Sequence, residues 1–129
     1  MDTHDRRSLL ATTPNPDAKV DYVSALKGTI PPGGEGGKTA IALSYVPDKL
    51  IIEPAAFGRY LEALRAKRGS LEEVAVTILN DINNEVVPRW VQVSAAAPEG
   101  ADAGRVEHGV TVEDRQPRWD NPALLSRLE

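Results

Sequence analysis

Apolar and polar positions follow two different rhythms along this chain, and the places where the rhythm changes divide it into elements. The segment Val20-Asp21-Tyr22-Val23-Ser24-Ala25-Leu26 is rich in β-branched and aromatic residues and predicts a strand. A second predicted strand runs from Lys38 to Tyr45, so the two form a hairpin with a long glycine-rich tip. The period then lengthens. Pro54 suits a first helical position, and Phe57, Leu61 and Leu64 come after it at helical spacing until Gly69 breaks the run. Ser70-Leu71-Glu72-Glu73 reads as a capping box with Ser70 as N-cap. Leu71, Ala75, Ile78 and Ile82 form one stripe of the helix it opens, which Asn83, Asn84 and Pro88 bring to an end.

Two further strands are predicted, Arg89 to Ala95 and Arg105 to Val112, joined by the linker Pro98 to Gly104. In the second of these, Val106, Val110 and Val112 share one face, and Glu107 and Thr111 the other. Asn121-Pro122 starts a terminal helix predicted to reach Glu129. The order strand-strand-helix-helix-strand-strand predicts an α+β domain with both helices on one face of an antiparallel sheet. This domain occupies residues 19–114. Residues 1–18 form a polar, proline-marked arm pinned by Leu9 and Leu10, and residues 115–129 form a tail with the short helix.

Composition narrows the function classes. A length of 129 residues suits one domain, and the scarcity of aromatic side chains leaves the core to Val, Ile, Leu and Ala. The net charge of −4 argues against a nucleic-acid partner. The basic run Arg65-Ala66-Lys67-Arg68 falls at a helix end, where cations complement the dipole. The chain has no cysteine, which removes disulfides, thiolate metal sites and any thiol nucleophile together. No segment approaches the ~20 apolar residues of a membrane helix and no signal sequence is visible, so the expectation is a cytoplasmic protein with no membrane partner.

The segment Pro31-Pro32-Gly33-Gly34-Glu35-Gly36-Gly37-Lys38-Thr39 ends like a phosphate-binding loop. Its spacing is wrong, because Pro32 stands where that motif needs its first glycine. It also leads into a predicted strand, whereas the motif must feed a helix whose N-terminus faces the phosphate.

Several short motifs, taken in order, resemble one family. Pro14-Asn15-Pro16-Asp17, Asp21-Tyr22, Tyr45-Val46-Pro47-Asp48 leading to Glu53, and Pro88-Arg89-Trp90-Val91 after two helices resemble the QueF-type nitrile reductases. That resemblance implies a tunnelling fold, in which sheets from several chains close a barrel. It also implies NADPH-dependent reduction of 7-cyano-7-deazaguanine in queuosine biosynthesis. This sequence departs from the family at the residues that carry the chemistry. The cysteine and aspartate positions fall near Ile30 and Gly37, in a loop that is shorter here. The family's Glu-Ser-Lys-Ser-Leu-Lys run, associated with NADPH, is Glu53-Pro54-Ala55-Ala56-Phe57-Gly58, and both lysines are gone. Its Phe-His-Glu triplet is Ser70-Leu71-Glu72, so only the glutamate remains, and its Pro-Arg-Gly-Gly turn is Pro98-Glu99-Gly100-Ala101.

The resemblance therefore implies a scaffold without the family's reduction, because a covalent thioimide needs a thiolate. No catalytic residue, metal ligand or NADPH site is expected. The ligand-binding expectation rests on Glu72, with Leu71 beside it: a carboxylate there suits the N–H edge of a purine- or pterin-like ligand. In the first turn of a helix, a glutamate is also favoured by the dipole alone, and the same holds for Glu53. His108 among apolar positions reads as a hydrogen-bonded structural residue, Lys38 as a solvated hairpin base, and Trp90 and Trp119 as packing residues. Two alternatives stay open: different chemistry with Lys38 or His108 as acid or base, and docking of the arm and acidic tail on a protein partner. A four-stranded sheet leaves two edges, so a homo-oligomer is expected.

Overall fold

The computed structural model describes residues 2–32, 38–66, 69–99 and 104–128. Gly33 to Gly37 of the glycine-rich loop, Lys67 and Arg68 of the basic run, Gly100 to Ala103 of the linker and Glu129 lie outside the described residues.

A four-stranded antiparallel sheet has the order β2 (Ser24–Ile30), β3 (Thr39–Val46), β5 (Trp90–Glu99), β6 (Val106–Arg115). Register follows the alternation of apolar positions. Leu26 pairs with Leu43, Leu43 with Val93, and Val93 with Val112, so one row of aliphatic side chains crosses all four strands on one face. Two helices cover that face, α2 (Pro54–Ala63) over β2 and α3 (Leu71–Glu85) over β5 and β6. Phe57, Tyr60 and Leu61 of α2 and Leu71, Ala75, Ile78 and Ile82 of α3 close the core against Ile41, Leu43, Tyr45, Val91 and Val93. Gly28 is needed where α2 comes closest, since a Cβ there would stand 2.7 Å from Leu61 Cδ1.

The other face of the sheet is open toward one end, where small residues lie, Ala40, Ala42, Ser94, Ala96, Gly109 and Thr111, while Val46 and Trp90 at the opposite end of that face are buried. Outside the sheet, β1 (Thr12–Pro14) pairs with β4 (Leu50–Ile52). The N-terminal residues are thus structured rather than a plain arm, with a helical turn α1 (Thr3–Arg7) ahead of β1 and Leu10 in the core. Asp81 explains how α1 is held. It is fully buried in α3 and accepts from Arg6 Nε and Arg7 Nε, each at 2.7 Å, and from the Tyr60 hydroxyl.

Other boundaries differ from the sequence expectation for local reasons. The first sheet strand begins at Ser24 rather than Val20, because Asp21 and Tyr22 bond the side chains of Arg89 and Asn15 instead of a neighbouring strand. The helix α3 passes Asn83 and Asn84, whose side chains bond Asp114 and Glu85, and ends at a Val86 cap. Val87 then takes a φ of 49°, a left-handed conformation usually left to glycine. The strands β5 and β6 extend beyond their predicted ends, while Val106 remains exposed at its end of β6. The terminal helix is a single turn, α4 (Pro122–Leu125), capped by the Asn121 side chain and continued by a 3-10 turn. Among the described residues, no helix is long and apolar enough to cross a membrane.

Candidate functional site

The motifs that carry the family resemblance meet at one end of the sheet, around Arg89. Its guanidinium donates to Asp21 Oδ1 at 3.1 Å, to Asp48 Oδ1 at 3.3 Å and to the Ala18 carbonyl. The Asn15 side-chain amide donates to the Asp48 carbonyl and its oxygen accepts from the Tyr22 hydroxyl. The C-terminal tail closes the same cluster. Trp119 Nε1 and the Asn121 amide donate to Asp21 Oδ2, and the Gln116 amide donates to Asp48 Oδ2. Every partner here is another part of the chain, so these motifs hold the arm, the β3–β4 turn and the tail together. Tyr45, from the same motif, accepts the Ile52 N–H on its buried hydroxyl and ties β4 to the core. Trp90 is buried and donates to Glu113 at 2.6 Å.

The candidate ligand residue lies at the opposite end of α3 from its cap at Val86. The Ser70 hydroxyl accepts the Glu73 N–H at 3.1 Å and starts the helix, as the capping pattern predicts. This places Leu71 inward, at 5% exposure in the core, and Glu72 outward, with 58% of its side chain exposed. Leu71 therefore sets the helix on the sheet, and Glu72 presents the polar group. A shallow depression of about 320 Å³ adjoins Glu72 and is lined by Glu73, Val76 and Thr77. Val76 is an exposed apolar side chain one turn on from Glu72.

A histidine meets this carboxylate from another element. His108 Nε2 lies 3.0 Å from Glu72 Oε2, reaching from β6 to the first turn of α3. The sequence alone makes His108 structural and Glu72 a separate candidate; the structure brings them together. The link is not legible in the sequence, because it spans 36 positions and depends on β6 lying beneath α3. The Glu72 carboxyl is held below the usual carboxylate range, first by the hydrogen bond from its own backbone N–H at the helix start and then by His108. It is thus an acceptor at neutral pH, with free lone pairs toward solvent.

The remaining candidates separate. Lys38 lines a cavity of about 730 Å³ at the far end of the sheet, which His108 also borders. Glu53 is exposed and caps α2 only through its carbonyl, which accepts from Ala56 and Phe57. Among the described residues, no cluster of three or more His, Asp or Glu side chains is placed to hold a metal ion.

Fold and site together define an α+β protein of the tunnelling type, with an exposed carboxylate at the start of its second long helix. The family model described as QueF-like protein matches residues 39–118, and the chain belongs to that family. It is similar to the NADPH-dependent 7-cyano-7-deazaguanine reductase of Nitrosococcus oceani, at 28% identity over 90% of this chain and 92% of that protein. It is also similar to the reductase of the same name from Syntrophus aciditrophicus, at 28% identity over 88% of this chain and 82% of that protein. Among solved structures, that of an archaeosine synthase QueF-Like in the apo form matches 73% of this chain and 90% of its own, with a TM-score of 0.55 and 20% identity. At that identity the likeness establishes the fold.

Proposed function

We propose that this protein binds a purine-like heterocycle of the 7-deazaguanine type through Glu72, and that it does not carry out the NADPH-dependent 7-cyano-7-deazaguanine reduction for which its relatives are named. The observation that carries the reading is the ionised, outward-facing Glu72 carboxylate, oriented by His108 and flanked by the apolar Val76. A carboxylate with two free oxygen lone pairs pairs in bidentate fashion with the adjacent N–H groups of a 2-aminopyrimidine ring edge. Val76 offers the ring an apolar surface.

The loss of reduction follows from the chemistry available. A thioimide needs a thiolate, and the chain has no cysteine. Leu71 stands where the resemblance places a histidine, and a buried leucine transfers no proton. NADPH does not fit either. Glu53 to Gly58 forms the start of α2 with no cation before Arg59, so a dinucleotide phosphate finds no lysine there. The depression at Glu72 is shallow, which supports a site completed by a second copy of the chain. In that reading the protein is a homo-oligomer, and no nucleic-acid or membrane partner is required. The proposed location is cytoplasmic.

A second reading has its own observation. The contact between Glu72 and His108 is an acid–base pair at hydrogen-bonding distance, which suits proton transfer on the bound heterocycle. Thermal-shift measurements with guanine, 7-cyano-7-deazaguanine and pterins test the main proposal. A stabilisation that disappears in Glu72→Ala supports it, and the absence of any stabilisation refutes it. NADPH oxidation with the nitrile is expected to stay at background. Chemical change of a bound heterocycle, lost in His108→Gln while binding persists, selects the second reading.

A further inference from the structure

Glycine within a strand packs nothing and loses the most conformational freedom on folding, so it often marks a place where something approaches the backbone closely. Gly109 is such a residue, inside β6. It pairs in register with Ala96 of β5, which pairs with Ala40 of β3. A Cβ on Gly109 would meet nothing nearer than the Ala95 carbonyl oxygen at 3.9 Å, so the fold has room for a side chain there. All three residues lie on the open part of the face away from the helices and are exposed. Together they make a flat floor, with no side-chain atom beyond Cβ, across three strands.

This floor belongs to the cavity of about 730 Å³ at the end of the sheet, whose polar walls are Lys38, Arg105, Glu107 and His108. That volume lies within the roughly 300–1,000 Å³ of small-molecule sites. Lys38 and Arg105 form no ion pair among the described residues. Two such cations beside a flat surface stand out in a chain whose net charge is −4. They supply charge-assisted donors for a phosphate, and Glu107 supplies an acceptor for a ring N–H or a sugar hydroxyl.

We propose that this ledge binds a planar heterocycle bearing a phosphate, a ligand of nucleoside monophosphate size. The ring lies on Ala40, Ala96 and Gly109, and the phosphate is held by Lys38 and Arg105. The site is separate from the one proposed at Glu72, which does not line the cavity; His108 borders both.

Isothermal titration of the full chain with adenosine and cytidine monophosphates, each beside its nucleoside, tests the proposal at matched ionic strength; neither base carries the adjacent N–H pair that Glu72 is proposed to read. At least one monophosphate is expected to bind saturably, and its nucleoside at least about tenfold more weakly. Lys38→Gln and Arg105→Gln should each weaken binding about tenfold. Gly109→Val, which fills the floor, should abolish binding with little change in melting temperature; if that variant is poorly folded, Gly109→Ala should still weaken binding. Glu72→Ala should leave the affinity unchanged, so that failure of either site is read separately. The proposal is overturned if no monophosphate binds, if nucleoside and nucleotide bind equally, if the lysine, arginine and glycine variants bind like wild type, or if Glu72→Ala abolishes the binding.

Discussion

Asp81 is the residue on which the N-terminal segment depends. Its burial alone would raise its pKa, but hydrogen bonds from Arg6, Tyr60 and Arg7 outweigh that and hold the carboxyl below the usual range. A folded-state pKa below the unfolded value stabilises the protein above about pH 4. That stabilisation is lost as pH falls through the depressed folded value. Asp81→Ala strands two arginines and a buried tyrosine hydroxyl, and should cost about 3–5 kcal/mol in urea unfolding at pH 7. Asp81→Asn should flatten the decline in stability on acidification, and a decline as steep as wild type would contradict this role. None of this is visible in the sequence. Asp81 sits on the polar-looking side of a helical stripe, and only the docking of α1 turns it into a buried anion. Val87 carries a different cost: a β-branched residue with φ of 49° is strained. Val87→Asn should raise the melting temperature, consistent with a gain of about 0.5–1 kcal/mol.

At the scale of elements, the central pattern is legible in the sequence and the periphery is not. Helices starting at Pro54 and after Ser70 follow from a proline at the first helical position and a hydroxyl cap, both local signals that the structure retains. The sheet strands follow from alternation, since one face is buried and the other partly open. The pair β1–β4 escapes sequence reading because each strand has three residues, too short to show a period. The expected start at Val20 fails because Asp21 and Tyr22 serve the Arg89 cluster, a contact between segments far apart in sequence. The motifs that resemble the family are largely members of that cluster. Their described hydrogen bonds join segments of this chain to one another, so they hold the scaffold together. Arg89→Met leaves Asp21 and Asp48 without their shared guanidinium. It should cost about 2–3 kcal/mol and remove hydrogen-exchange protection from residues 116–128 before the sheet opens. Unchanged protection of that tail would contradict the role assigned to Arg89.

At the scale of the whole molecule, the four-stranded sheet carries both long helices on one face, is open over part of the other and has β2 and β6 as its edge strands, with the β1–β4 pair beside it. Edges of this kind invite pairing with another chain unless something blunts them. The shallow setting of Glu72 and the two edge strands both suit completion by another copy. A stable oligomer is therefore expected, and light scattering after size exclusion at micromolar concentration should give a mass at least twice that of one chain. A monomer at that concentration would remove the argument that a second copy completes the Glu72 site. Part of the candidate site is legible in the sequence: Glu72 stands out from its triplet and helix position. Its partner at 3.0 Å is not, because His108 reaches it only through the order of strands in the sheet.

Glu72 is proposed to recognise a deazaguanine-like heterocycle reversibly, without thiol chemistry. Isothermal titration of 7-cyano-7-deazaguanine into wild type, His108→Gln and Glu72→Ala tests it most directly. Saturable, reversible binding is predicted for wild type, roughly tenfold weaker binding for His108→Gln, and none detectable for Glu72→Ala. Equal binding by wild type and Glu72→Ala, or none by wild type, would contradict it.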